Sequence, residues 1–249
     1  MQRFFLPAER VSHGQVEFLP EQARQIAVVL RLRPGDRVAV LDYQGWISEV
    51  ELSRVAPNAA GGVVRSRTLA PNEPRTKLTL YPALLKSDKL ELVLQKCTEI
   101  GASGFAPTIC DRCNVGSIIS ENRRLRWERI LVEAAEQCER GRIPQLHPAM
   151  IFPQACEQAS SRGLSFIAQE RDDRPSLRAE LSSRIAAAGA RPFAMNLFIG
   201  PEGGFTDEEL AVARSYGIIG VGLGPRILRA ETAAFAGTTL VMALAGDLE

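Results

Sequence analysis

The run Asn196-Leu-Phe-Ile-Gly-Pro-Glu-Gly-Gly-Phe-Thr-Asp-Glu-Glu-Leu210 sets a carboxylate in the middle of a glycine-rich turn. Leu197 to Ile199 predict a short strand, Gly200, Pro201, Gly203 and Gly204 a tight turn, and Thr206 with Glu209 a capping box that opens a helix. A strand, a glycine turn and a helix N-terminus form a ligand-binding corner of α/β proteins, because glycine lets backbone approach a ligand closely. Phosphate-cradling loops add a lysine or a GxGxxG spacing. This run has neither, and Glu202 stands where a phosphate would sit. A nucleoside triphosphate or a dinucleotide therefore fits poorly, and a ligand that is neutral or cationic there, with ribose hydroxyls or a base edge to recognise, fits better. The competing reading is a plain strand-to-helix connection.

A second corner repeats the pattern in Gly220-Val-Gly-Leu-Gly-Pro-Arg-Ile-Leu-Arg-Ala-Glu-Thr-Ala-Ala234. Gly224-Pro225 turns the chain and a helix begins near Ala230 or Glu231. Two such turns at strand ends of one sheet would line a single crevice. Gly224 gives backbone access, Ile227 and Leu228 could wall an apolar, base-sized slot, and Arg226 and Arg229 are left to face a polyanion. Glu231 reads equally well as a helix N-terminal acid favoured by the macrodipole or as a direct participant.

The elements that must hold these corners differ between two parts of the chain. Residues 1–72 read as β-rich: strands at Arg3 to Leu6, Arg37 to Asp42, Trp46 to Leu52 and Val63 to Leu69, with a hairpin at Tyr43-Gln-Gly45 and one helix from Pro20 to about Leu30. Short strands around one helix suggest a small barrel. Ala70-Pro-Asn-Glu-Pro74 reads as a linker. Residues 73–249 alternate strands (Leu78 to Ala83, Phe105 to Cys110, Leu164 to Ala168, Leu197 to Ile199, Ile218 to Leu223) with helices. The helices are a Ser87-capped one with Leu90, Val93, Leu94, Cys97 and Ile100 on one face, then Glu121 to Arg140, Phe152 to Ser161, Ser176 to Ala188 and Ala230 to Leu244. That alternation predicts an α/β fold with a mostly parallel sheet covered on both faces.

A chain of 249 residues with 45% hydrophobic and 24% charged side chains is long enough for two globular domains and has the balance of a soluble protein. No apolar run approaches a membrane span, and the N-terminus lacks a basic-then-apolar signal pattern, so the expected location is the cytoplasm. Cys110 and Cys113 form a lone CxxC, and the chain holds two histidines, His13 and His147. A closed zinc site needs four ligands, so no metal is expected and the thiols are read as reduced. Net charge is +1, which leaves any nucleic-acid binding to local basic patches. Most arginines between Arg123 and Arg142 alternate with Glu128, Glu133, Glu136 and Glu139 as a solvated face. Arg140 and Arg142 instead lie past the helix end beside Gly141 and Pro144, where they could reach phosphates with Arg112. The first domain adds Arg3, Arg10, Arg24, Arg31 and Arg33.

Four ordered stretches carry a family resemblance. They are Lys89-Leu-Glu-Leu-Val-Leu-Gln-Lys-Cys-Thr-Glu-Ile-Gly101, Glu133-Ala-Ala-Glu-Gln-Cys-Glu-Arg-Gly-Arg-Ile-Pro144, Ile199-Gly-Pro-Glu-Gly-Gly-Phe205 and Leu223-Gly-Pro-Arg-Ile-Leu-Arg-Ala-Glu-Thr232. Together they resemble the RsmE family, the 16S ribosomal RNA uridine N3-methyltransferases of the SPOUT class, over nearly the whole chain. The resemblance implies a C-terminal α/β domain tied in a deep trefoil knot, an N-terminal PUA-like RNA-binding β-barrel and a homodimer packed through the last helix. It implies S-adenosylmethionine held by Gln169, by Ile199, Gly200, Pro201, Glu202 and Gly203, and by Leu223, Gly224, Ile227, Leu228 and Ala233. The RNA would be 16S rRNA within the small ribosomal subunit, met by Arg3, Arg10, Arg31, Arg112, Arg140, Arg142 and Arg226. Attack by N3 of uracil requires loss of the imide proton, so Arg229 is a candidate to stabilise the imide anion and Glu231 a weaker candidate to accept the proton.

Three departures touch RNA-facing regions: Gln25 stands where the family often has His, Gly116 where it often has Lys, and Glu139 where a small residue is common. The alternatives are a SPOUT methyltransferase acting on another RNA or on a ribose 2′-hydroxyl, and a non-catalytic RNA-binding assembly factor.

Overall fold

The computed structural model describes residues 1–113, 119–170 and 174–248; Gly116 lies outside them. The described chain divides into two compact units, one of residues 1–73 with 135–143, the other of residues 74–134 with the chain from Pro144. The first unit thus takes up a segment that the sequence groups with the second domain.

The first unit runs β1 (Arg3–Phe5), β2 (Val11–Ser12), β3 (Gln15–Glu17), α1 (Pro20–Arg24), a π-helical turn Gln25–Val29, β4 (Arg37–Leu41), β5 (Trp46–Ala56) and β6 (Ala59–Leu69). Its six strands lie in the order β1-β4-β5-β6-β3-β2. β1 pairs with β4 in parallel and the other pairs are antiparallel. This is a mixed, curled sheet, a PUA-like half-barrel around α1. Period-two alternation builds it: Ser48, Val50 and Leu52 of β5 point inward between half-exposed Ile47, Glu49 and Glu51. Phe4, Leu6, Val16, Phe18, Ile26, Val38 and Val40 complete the core. The expected hairpin forms at Tyr43-Gln-Gly45, where Asp42 Oδ1 accepts the amides of Gln44 (2.9 Å) and Trp46 (3.0 Å). β5 and β6 outrun their apolar stretches, because their ladder continues through Ser53 to Ala56 and back from Ala59 with register shifts.

The second unit contains β7 (Lys77–Pro82), α2 (Ser87–Ile100), β8 (Gly104–Phe105), β9 (Thr108–Ile109), α3 (Glu121–Gln137) up to Ala134, β10 (Gln145–Leu146), β11 (Met150–Ile151), α4 (Phe152–Ser160), β12 (Leu164–Ala168), α5 (Leu177–Ala188), β13 (Ala194–Ile199), α6 (Asp207–Ser215), β14 (Ile219–Val221) and α7 (Ala230–Leu244). The main sheet is parallel throughout, in the order β10-β8-β7-β13-β12-β14. The single strand expected from Phe105 to Cys110 is two: Pro107 has no N–H for a ladder, and beyond it β9 leaves the main sheet to pair with β11. Helix α2 begins one residue earlier than expected, with Lys86 at its N-cap. Its Leu90, Val93, Leu94 and Cys97 are fully buried. Each such aliphatic side chain contributes roughly 1.5–3 kcal/mol.

The last helix explains the architecture. From the edge strand β14 the chain returns to lay α7 against α2, α5, β7 and β13. On the way it is laced to the segment after β12: Gly222 N donates to Pro175 O (3.0 Å) and Leu177 N to Gly222 O (2.9 Å). This return between the strand-end corners is a SPOUT-like knot, a rare departure from unknotted topology. The apolar character of α7 is largely used inside its own chain, with Ala234, Gly237, Thr238, Val241 and Met242 buried.

Candidate cofactor cavity

β13, β12 and β14 lie side by side and parallel, so the segments leaving their C-terminal ends emerge together. Between them is a cavity of about 410 Å³, the size of a small-ligand site. Ala168 ends β12 and Gln169 follows it, Ile199 to Phe205 leave β13, Leu223, Gly224 and Arg226 to Arg229 approach α7, and Ala230 and Ala233 open it; all contribute to the wall.

Each corner is built for close backbone approach. In the first, Gly204 has φ +67° and Gly204 N donates to Pro201 O (2.9 Å). Thr206 and Glu209 then form the expected capping box: Glu209 N donates to Thr206 Oγ1 (3.1 Å) and Thr206 N to Glu209 Oε2 (2.9 Å). In the second, Gly224 has φ +121° and open space beside its Cα. The third depends on a neighbour: a Cβ at Gly220 would collide with the Gln169 carboxamide. Gln169 Oε1 is buried and, among the described residues, finds no hydrogen-bond donor.

Glu202 meets Lys89, which stands on α2. Lys89 Nζ donates to Glu202 Oε1 at 3.1 Å and lies 3.8 Å from Glu231 Oε2. Burial pushes the Glu202 carboxyl up, but a backbone hydrogen bond, the Lys89 hydrogen bond and the charges of Lys89 and Lys86 outweigh it and hold it below the usual carboxylate range. The Lys89 ammonium is raised, first by its hydrogen bond to Glu202. Both stay charged at neutral pH. The cavity rim is therefore carboxylate on one side, with Arg226 and Arg229 exposed on the other. Ile227, also on the rim, is 79% exposed.

All the residues expected at the cofactor line this one cavity, and so do Arg112, Arg226 and Arg229. Glu231 does not. Its side chain is 14% exposed, and its buried Oε2 lies 3.8 Å from Lys89 Nζ, with no hydrogen-bond partner among the described residues. Arg112 lies along Gly203 and donates from Nη1 to Gly203 O (2.9 Å), so it braces the glycine turn. Arg140 does not reach outward as expected: it is 4% exposed, and its guanidinium holds Glu73 (Nη2 to Oε2, 3.1 Å). Arg3 is ion-paired with Glu139. Arg31 and Arg142 are exposed and Arg10 is half-buried. Sequence reasoning missed Lys89 as part of the site; a lysine on an apolar-faced helix carries no signal until the fold closes the separation to Glu202.

These residues fit a cationic nucleoside. The cavity offers an unpaired amide oxygen, glycine backbone, a carboxylate at its rim and apolar Ile199, Leu223 and Leu228, with no lysine in its wall among the described residues. Comparison with known proteins agrees. Residues 71–242 match the family model described as an RNA methyltransferase domain. The chain is 31% identical to ribosomal RNA small subunit methyltransferase E of Bacillus subtilis, over 94% of this chain and 93% of that protein. It is 34% identical to the protein of the same name from Synechocystis, over 93% of this chain and 74% of that one. Among solved structures, ribosomal RNA small subunit methyltransferase E from Neisseria gonorrhoeae bound to S-adenosyl methionine superposes with a TM-score of 0.81 at 29% identity, covering 98% of each chain. A methyltransferase of Legionella pneumophila with bound cofactor superposes with a TM-score of 0.79 at 28% identity, covering 97% of this chain and 96% of that one.

Proposed function

This chain belongs to the ribosomal RNA small subunit methyltransferase E family, and from that premise we propose that it methylates N3 of one uridine in the decoding region of 16S rRNA. It is an S-adenosylmethionine-dependent rRNA methyltransferase, working on the small ribosomal subunit in the cytoplasm as a homodimer. The observation that carries the reading is the convergence of three strand-end corners on one cavity whose polar wall suits a cationic nucleoside and whose rim carries Arg229. When bound, S-adenosylmethionine supplies an electrophilic methyl group. Gln169, the Gly200–Gly204 turn and the Gly224 corner hold it, Lys89 fixes the Glu202 side of the turn, and Arg112 braces Gly203 from outside. Arg229, at the N-cap of α7 and exposed at the rim, stabilises the negative charge that develops on the uracil imide. Glu231 keeps Lys89 in place, and the imide proton leaves to water.

Incubation with S-adenosylmethionine and small subunits from a strain lacking the enzyme, followed by mass mapping of the rRNA, tests this. The expected product is one methyl on the base of a single decoding-region uridine, with Arg229→Ala lowering turnover more than cofactor affinity. A methyl on a ribose, or on another RNA alone, would overturn the assignment. Failure to bind S-adenosylmethionine at millimolar concentration in calorimetry would overturn enzyme action altogether.

A further inference from the structure

The CxxC at 110–113, unused by the methyl-transfer reading, occupies a definite place in the fold. Cys113 N donates to Cys110 O (3.1 Å), which makes residues 110–113 a β-turn. A β-turn brings its first and fourth Cα atoms within about 7 Å, and disulfides form across Cα separations of about 4.4–6.8 Å. The two thiols are already oriented together. Cys110 N donates to Cys113 Sγ (3.3 Å), and both sulfurs lean on the same acceptor, Thr108 O, at 4.0 and 3.9 Å. Their environments differ as those of an attacking and a resolving thiol do. Cys113 is half-buried, whereas Cys110 is 5% exposed. The hydrogen bond from Cys110 lowers the Cys113 thiol to about 7 against the effect of burial, with backbone hydrogen bonds helping and Glu209 opposing. The same hydrogen bond and burial push the Cys110 thiol up, so it keeps its proton.

The tip of this turn is tied to the cofactor cavity. Asp111 N donates to Glu209 Oε1 (3.0 Å), and Arg112 holds Gly203 O.

We propose that Cys110 and Cys113 are a dithiol oxidised by hydroperoxides, closing to a disulfide across the turn that carries Arg112 to the cofactor cavity. The Cys113 thiolate attacks one peroxide oxygen: an S–O bond forms, the O–O bond breaks, and the leaving hydroxide takes up the proton the thiol released. The sulfur is oxidised by two electrons and the peroxide reduced. Cys110 Sγ then attacks the sulfenic sulfur, the S–S bond forms, the S–O bond breaks, and hydroxide leaves as water with the Cys110 proton. One hydrogen peroxide and two thiols thus become one disulfide and two waters. The disulfide leaves neither sulfur a proton to share with Thr108 O or with the other sulfur, so the turn must readjust and Arg112 loosens its hold on Gly203. The chemistry of the pair stands apart from the proposed function; its coupling to the cofactor rests on that reading.

The test treats the full chain with limiting hydrogen peroxide, blocks free thiols and maps peptides without reduction. The expected result is a Cys110–Cys113 link that forms before Cys97, Cys138 or Cys156 oxidises and that dithiothreitol reverses. Cys110→Ser leaves Cys113 as a sulfenic acid that dimedone captures, and Cys113→Ser forms neither adduct nor link. Absence of the link, or earlier oxidation of Cys138, overturns the site. Calorimetry of the two redox forms is expected to show S-adenosylmethionine binding at least about threefold weaker after oxidation, a difference of about 0.65 kcal/mol; equal affinities overturn the coupling. If the reduced protein binds no S-adenosylmethionine, the proposed function and the coupling fall together, while the peptide map still decides the disulfide.

Discussion

Gln169 carries a buried carboxamide oxygen in the wall of the cavity, and among the described residues nothing donates to it. An unsatisfied buried acceptor costs the folded protein roughly 1–3 kcal/mol, a cost that a ligand donor placed there removes. Gly220, with no side chain, leaves the space this carboxamide occupies. Gln169→Leu is therefore expected to separate stability from binding. The urea midpoint of the ligand-free protein should hold or rise, and the calorimetric affinity for S-adenosylmethionine should fall about tenfold, about 1.4 kcal/mol. Unchanged affinity would remove Gln169 from the binding residues. Lys89 acts differently at the same scale. It is a cation shared by carboxylates from two segments, and with its side chain 28% exposed it contributes orientation more than stability.

At the scale of elements, the capping box of α6 has a second duty. Glu209 uses Oε2 to close the box on Thr206 N and Oε1 to receive Asp111 N from the turn after β9, and it is 5% exposed. Losing the Thr206 hydroxyl removes one cap bond and is expected to cost about 1 kcal/mol. Glu209→Ala removes the acceptor of two part-buried backbone donors, Thr206 N and Asp111 N, and is expected to cost about 2–3 kcal/mol. Urea titration of both variants checks this; equal losses would mean that the link to Asp111 contributes nothing. The box was legible in the sequence because its partners are three residues apart. So were β7, β12 and β13, whose apolar runs are their own signal, and the corners, whose glycines mark the turns. The two-residue strands β10 and β11 were not legible, because their pairing depends on distant β8 and β9. The Lys89 to Glu202 bond and the burial of Arg140 against Glu73 were hidden for the same reason. Each joins residues far apart in the chain, and a charged side chain looks alike in sequence whether solvated or paired. The knot came from resemblance, since periodicity carries no information on threading.

For the molecule as a whole, a net charge of +1 makes long-range attraction to RNA weak, so affinity must come from arginines that touch phosphates. Of the arginines expected at RNA in the first unit, Arg3 is ion-paired with Glu139 and Arg140 is buried with Glu73, leaving Arg10, Arg31 and Arg142. With exposed Arg226 of the second unit these make four phosphate contacts, which imply a slope of log affinity against log salt of about −3 to −4, hence a loss of roughly fifty- to 150-fold between about 50 and about 200 mM salt. Filter binding to small subunits across that range is expected to show it. Arg31→Gln and Arg142→Gln should each flatten the slope by about one unit. Arg140→Gln should instead lower stability by about 3–5 kcal/mol, because it leaves Glu73 buried without its cation, with no change in slope if the variant is held folded at low temperature. A flatter slope for Arg140→Gln than for Arg31→Gln would return Arg140 to the RNA surface and remove Arg31 from it.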